Sequence, residues 1–148
     1  MNKNNIQLTD LCTNTNANGL KLLFNLNADL GLVHWHALSQ NKTFFDEYPQ
    51  MVMNNMCNIN IDQLCVNSSD LAIRILNNTD KHKLNIRRLA LNTNSDALSL
   101  LSSIDVDNEL HNIVWCLIRN PNILARNMLF ELTDNLTNIQ HRYREHFI

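Results

Sequence analysis

The chain has 148 residues, 45% of them hydrophobic, and a formal net charge of −2 at neutral pH. That length suits one domain with its own core, and a charge so close to zero argues against a strongly basic nucleic-acid clamp. With only two glycines, Gly19 and Gly31, a glycine-rich phosphate loop and a glycine-flanked nucleophile turn are both excluded.

In chain order, the first element is a short apolar helix ending near Leu11, three residues before Asn14. The same pair returns as Leu38/Asn41, Leu64/Asn67, Leu89/Asn92 and Leu117/Asn120. Successive asparagines stand 27, 26, 25 and 28 residues apart, and a period of about 20–50 residues marks a repeat array. Six before each asparagine stand Leu8, Trp35, Ile61, Ile86 and Val114, all apolar. Two before it stand Cys12, Ser39, Cys65, Ala90 and Ile118, mostly small. These spacings share one helical face. Five after it stand Gly19, Asp46, Ala72, Ala97 and Ala125. Eight and nine after it come Leu22-Leu23, Ile75-Leu76, Leu100-Leu101 and Met128-Leu129, a second apolar face. The second unit breaks that pattern at Phe44-Phe45-Asp46-Glu47-Tyr48-Pro49, where the proline bends or ends a helix.

The asparagine reads as the N-cap of the following helix, its side chain accepting a free backbone N–H. Asn120-Pro121 would place proline at the first helical position, and Asp70 would sit favourably in a first turn. Each unit is therefore two helices of about ten residues around a polar loop. Neither helix is stable alone, so each needs its neighbours. The expected fold is all-α, an α-solenoid of about five 25–28-residue two-helix repeats within one domain, 1–148. The repeats span approximately 8–34, 35–60, 61–85, 86–113 and 114–140. The tail 141–148, which mixes charge and aromatics, would cap the last repeat or mediate association with a partner or with a second copy.

The clearest units are Ile86-Arg87-Arg88-Leu89-Ala90-Leu91-Asn92-Thr93-Asn94 and Val114-Trp115-Cys116-Leu117-Ile118-Arg119-Asn120-Pro121-Asn122. They resemble the leucine-rich variant repeat, a short helical repeat of the wider HEAT-like group. Asn-Pro-Asn is complete only at Asn120-Pro121-Asn122, and the arginine after the first apolar residue appears only as Arg87. The resemblance runs from about Leu8 to Leu136. It implies a right-handed superhelix and a binding scaffold, with no catalytic residue carried over.

Candidate chemistry is sparse. His34 and His36 are two residues apart and point away from each other on a helix, a poor pair for a metal. Asp105, Asp107 and Glu109 alternate, but a calcium loop needs more ligands and a glycine; they read as a polar loop before a helix starting near Asp107. Cys12, Cys57, Cys65 and Cys116 form no Cys-x-x-Cys pair and read as reduced core thiols. No metal, cofactor or enzymatic activity is expected. Met1-Asn2-Lys3-Asn4-Asn5 lacks the apolar stretch of a leader, so a cytoplasmic protein is expected, with no membrane association. The 26 asparagines suggest AT-rich coding, common in viruses, phages and parasites.

Binding residues of a solenoid lie where slots vary between repeats. The slot five before the asparagine holds Thr9, His36, Asp62, Arg87 and Trp115; the slot one before it ends in Arg119. Trp and Arg are common interface anchors, so the expected protein-binding patch is Arg87, Arg88, Trp115 and Arg119, with His36 in the same column. Trp115 could instead be packed. The basic cluster of Arg74, Lys81, Lys83, Arg87 and Arg88 reads as a solvated face, or else as contact with an acidic protein or with nucleic-acid phosphates, the last weak and salt-sensitive through Arg74, Lys81 and Lys83. The leading expectation is a non-enzymatic scaffold of viral or phage type that occludes or bridges a protein. A nucleic-acid-binding repeat or a self-assembling virion component would be the other readings, the last through association of terminal repeats.

Overall fold

The computed structural model describes residues 7–26, 29–106 and 109–145, with 135–145 as backbone only. Among the described residues all regular structure is helical and there is no strand. The helices are α1 (Leu8–Thr13), α2 (Ala17–Asn25), α3 (Leu32–Gln40), α4 (Lys42–Glu47), α5 (Pro49–Asn54), α6 (Ile61–Leu64), α7 (Asp70–Asn77), α8 (Ile86–Ala90), α9 (Ser95–Ser102), α10 (Leu110–Arg119) and α11 (Ile123–Glu145). Short 3₁₀ turns cover Met56–Asn58 and Lys81–Lys83.

The helices fall into two rows. In one, α1 packs on α3, α3 on α6 and α8 on α10; side chains join α6 to α8, with Asn85 bonded to Asp62. In the other, α2 packs on α4, α4 on α7, α7 on α9 and α9 on α11. One continuous core lies between the rows and includes all five recurring leucines, Leu11, Leu38, Leu64, Leu89 and Leu117. Cys12, Ser39, Cys65 and Ala90 are completely buried, because a small side chain there lets the next helix approach closely.

Asparagine has a different job from the one its position suggests. Only Asn41 caps the following helix, accepting from Phe44 N at 3.1 Å. Asn14, Asn67, Asn92 and Asn120 instead accept from the backbone N–H two residues on, at 2.8–3.0 Å. The helix starts are displaced accordingly, to N-caps Asn16, Ser69 and Asn94. Asn122, bonded to Leu124 N, does this for α11, so Pro121 precedes the helix instead of opening it.

The amide nitrogens of Asn41, Asn67, Asn92 and Asn120 each reach back to carbonyls 25–30 residues earlier. Asn41 Nδ2 donates to Cys12 O (2.7 Å) and Asn14 O (2.9 Å). Asn67 donates to Ser39 O (3.0 Å). Asn92 donates to Cys65 O and Asn67 O (2.9 and 3.0 Å), and Asn120 to Ala90 O and Asn92 O (both 2.8 Å). A parallel set lies two residues on: Thr43 to Thr15 O, Asn94 to Ser68 O and Asn122 to Thr93 O. These ladders satisfy carbonyls left free at helix C-termini. Ser69 occupies the equivalent place in the third unit, and its buried hydroxyl has no partner.

Several expected boundaries shift. α6 and α8 have only four and five residues, started by caps not foreseen, Asn60 (from Gln63 N, 2.8 Å) and Asn85 (from Arg88 N, 3.0 Å). The limits at 34/35 and 113/114 fall inside α3 and α10; α10 runs from Leu110, and Asp107, near which its start was expected, lies outside the described residues. α11 runs unbroken past 140; the side chains of 141–145, all of 146–148 and the capping role given to them lie outside the described residues. In the second unit, Tyr48 ends α4 and Pro49 opens α5 at its first position. Phe44 and Phe45 are core: Phe44 lies 5.8, 6.3, 5.7 and 6.3 Å, centroid to centroid, from Phe24, Trp35, Phe45 and Tyr48.

Candidate functional site

The variable column Thr9, His36, Asp62, Arg87, Trp115 runs along the outer side of the row α1, α3, α6, α8, α10. Its members are half-buried at the start and exposed at Arg87 and Trp115. His36 Nε2 lies 3.1 Å from Asn60 Nδ2, which ties α3 to the start of α6. Its neighbours serve the fold: Trp35 is buried, and His34 Nδ1 accepts from Gly31 N at 3.0 Å, capping α3.

Arg87 Nε donates to Glu109 Oε2 at 2.8 Å, and Asn112 Nδ2 donates to the same oxygen at 3.1 Å. The Arg87 hydrogen bond, helped by Asn112, holds the Glu109 carboxyl below its ordinary range; the same pairing raises Arg87. A depressed carboxylate stabilises the fold above its unfolded pKa, and that contribution is lost as pH falls through the folded value. Both partners are well exposed, so the contribution is small.

Arg88 departs from the expected patch. Its Nε lies 3.0 Å from Asp62 Oδ2 and its Nη1 3.0 Å from Gln63 Oε1. The slot four before the asparagine faces the preceding helix, so Arg88 is drawn into the junction with α6. Lys81 is likewise occupied, donating to Ser103 O and Oγ at 3.0 and 2.9 Å. Arg74 stands apart on α7, at the edge of an open apolar groove of about 530 Å³ with Met53, Met56, Leu71 and Ile75. Lys83 is exposed. The expected basic cluster is thus spread over α7, the Lys81–Lys83 turn and α8, with Arg87, Arg88 and Lys81 held by chain groups.

Trp115 is 55% exposed, Ile118 57%, Ile123 64% and Phe130 64%; Arg119 is exposed as well. Trp115 and Ile118 share a face of α10, and Ile123 and Phe130 share a face of α11. Sequence reasoning missed Ile118, Ile123 and Phe130. The available signal was Ile118, a large residue in a slot that is otherwise mostly small.

The cysteines divide. Cys12 and Cys65 are buried, and burial pushes both thiols up. Cys116 is half-buried, and Cys57, expected in the core, is exposed because the chain there forms the short Met56–Asn58 turn. In the native chain a maleimide should label Cys57 first and Cys116 more slowly, with Cys12 and Cys65 reacting only on unfolding. Peptide mapping reads this, and fast labelling of Cys65 would contradict the packing.

Among the described residues no three His, Cys, Asp or Glu side chains gather as metal ligands, and no helix is long and apolar enough to cross a membrane. No protein-family model, curated protein or solved structure matches the chain.

Proposed function

We propose that the chain is a right-handed α-solenoid of about five two-helix repeats, akin to the leucine-rich variant and HEAT-like repeats, and that it works as a non-enzymatic protein-binding scaffold. It would occlude or bridge one protein partner, in the manner of a viral or phage inhibitor in the host cytoplasm. The observation that carries this reading is the exposure of Trp115 beside Ile118 on a helix whose Ile113 and Leu117 are buried in the core. Large apolar groups grouped on a surface are characteristic of interaction sites. Arg87 in the same column and Arg119 on the same helix add guanidinium anchors. Arg88 and His36 support the surface from within the stack.

Tagged chain should capture a protein from host lysate that survives nuclease. Trp115→Ala and Arg87→Glu should each weaken that capture at least about tenfold, as loss of an interface anchor does, with far-UV circular dichroism unchanged. Undiminished capture by both variants rejects the patch. A nucleic-acid reading rests mainly on Arg74 and Lys83, and capture abolished by nuclease and steeply weakened by salt would favour it.

A further inference from the structure

The two hydrogen-bond ladders have a direction, and their ends match. Within the chain, Asn41, Asn92 and Asn120 donate from Nδ2 to the carbonyls two before and level with the preceding asparagine, and Asn67 donates to the first of these alone. Thr43, Asn94 and Asn122, two residues further on, donate to the carbonyl one after the preceding asparagine, while Ser69 in the same place does not. In the first unit the corresponding donors are Asn14 and Asn16. Their Oδ1 atoms accept from Asn16 N and Asn18 N at 2.8 and 2.9 Å, but among the described residues their Nδ2 atoms have no partner. In the last unit the corresponding acceptors are Ile118 O, Asn120 O and Pro121 O, and none of them receives a side-chain amide among the described residues.

The apolar packing is open at the same place. The slot two before the asparagine is completely buried in the first four units and 57% exposed at Ile118. In the earlier units the following unit covers that slot; beyond Ile118 no described side chain does.

We propose that a second copy of this chain occupies this end. Its first unit docks on α10 as the next unit of the stack, with Asn14 donating to Ile118 O and Asn120 O, Asn16 donating to Pro121 O, and Ile118 closed over by α1. The contact is heterologous, donor end to acceptor end, so it repeats and generates an open chain or a ring rather than a closed pair. This rests on the repeat register of the proposed solenoid.

Sedimentation velocity over a wide concentration range tests it, using the full chain. The wild type should pass beyond two copies as concentration rises. Asn14→Asp/Asn16→Asp keeps both Oδ1 acceptors and removes both amide donors; Ile118→Glu places a charge in the open slot and disturbs no buried contact. Each should raise the dissociation constant of the self-association at least about tenfold with unchanged circular dichroism. Mixed together, they should form a one-to-one pair that stops at two, because only one intact donor end and one intact acceptor end remain. A wild type monomeric throughout, a wild-type dimer that stops at two, or Ile118→Glu assembling normally overturns the proposal. Arg87→Glu should assemble like the wild type while losing partner capture, which separates failure of this interface from failure of the binding patch.

Discussion

Asn92→Ala is expected to destabilise the fold by about 3–5 kcal/mol, from the typical cost of about 1–3 kcal/mol for each buried polar group left unsatisfied. Asn92 is completely buried. Its side chain makes three hydrogen bonds, two as donor to the preceding unit and one as acceptor from Asn94 N. Alanine deletes all three and leaves Cys65 O, Asn67 O and Asn94 N to find new partners in a dry junction. The control is Asn14→Ala, where the same residue type is exposed and only the bond from Asn16 N is lost; its cost should stay below about 1 kcal/mol. Asn92→Asp adds a sign test. It aims a carboxylate at two carbonyl oxygens, which should raise its folded pKa above the ordinary value of about 3.9. The ionised form is then penalised, so this variant gains stability as pH falls through the raised value, unlike the wild type at that site. Urea unfolding at several pH values measures all three. Equal losses for Asn92→Ala and Asn14→Ala would show that the ladder contributes nothing to stability.

Phe44→Ala is expected to cost about 3–5 kcal/mol, the usual range for truncating a buried aromatic. Phe44 is completely buried and touches rings from α2, α3 and its own segment. It thereby fills the junction where the second unit lacks the paired apolar residues found at Ile75-Leu76 and Leu100-Leu101. A loss of this size is a large part of a typical total stability of about 5–15 kcal/mol, and in a stacked fold it should uncouple the first unit from the rest. Thermal unfolding followed by circular dichroism should lose its single transition or shift sharply downward. Phe44→Leu, which keeps most of the apolar volume, should recover much of the loss. A Phe44→Ala chain as stable as the wild type would mean the aromatic cluster is dispensable.

The helical periodicity was legible because it is local. Leu11, Leu38, Leu64, Leu89 and Leu117 are buried wherever the pattern put them on an inner face, since a residue's side of a helix follows from spacing alone. The small slot was legible for the same reason in four units. The asparagines were half legible. Sequence showed that each sits at a break between helices, and capping was the natural local function. Their amide donors, however, act on carbonyls 25–30 residues earlier, and no local rule registers that.

Among the site residues, Arg87 and Trp115 stand exposed in the variable column, while Arg88, one residue from Arg87, turns into the α6 junction. One step along a helix is a rotation of about 100°, enough to exchange solvent for a neighbouring helix once that neighbour is in place. Cys57 departs the other way: read as a core thiol, it stands exposed in the short 3₁₀ turn Met56–Asn58.

By itself, then, the sequence determined the helical class, the leucine core and the recurring asparagine breaks, all of which depend on contacts within a few residues. Tertiary structure alone decided which asparagines cap and which bridge units, where Arg88 and Lys81 spend their charge, and which of the large apolar residues stay open at α10 and α11. Those outcomes depend on what packs against each helix, and the asparagine amides and carbonyls that meet there lie 25–30 residues apart in the chain.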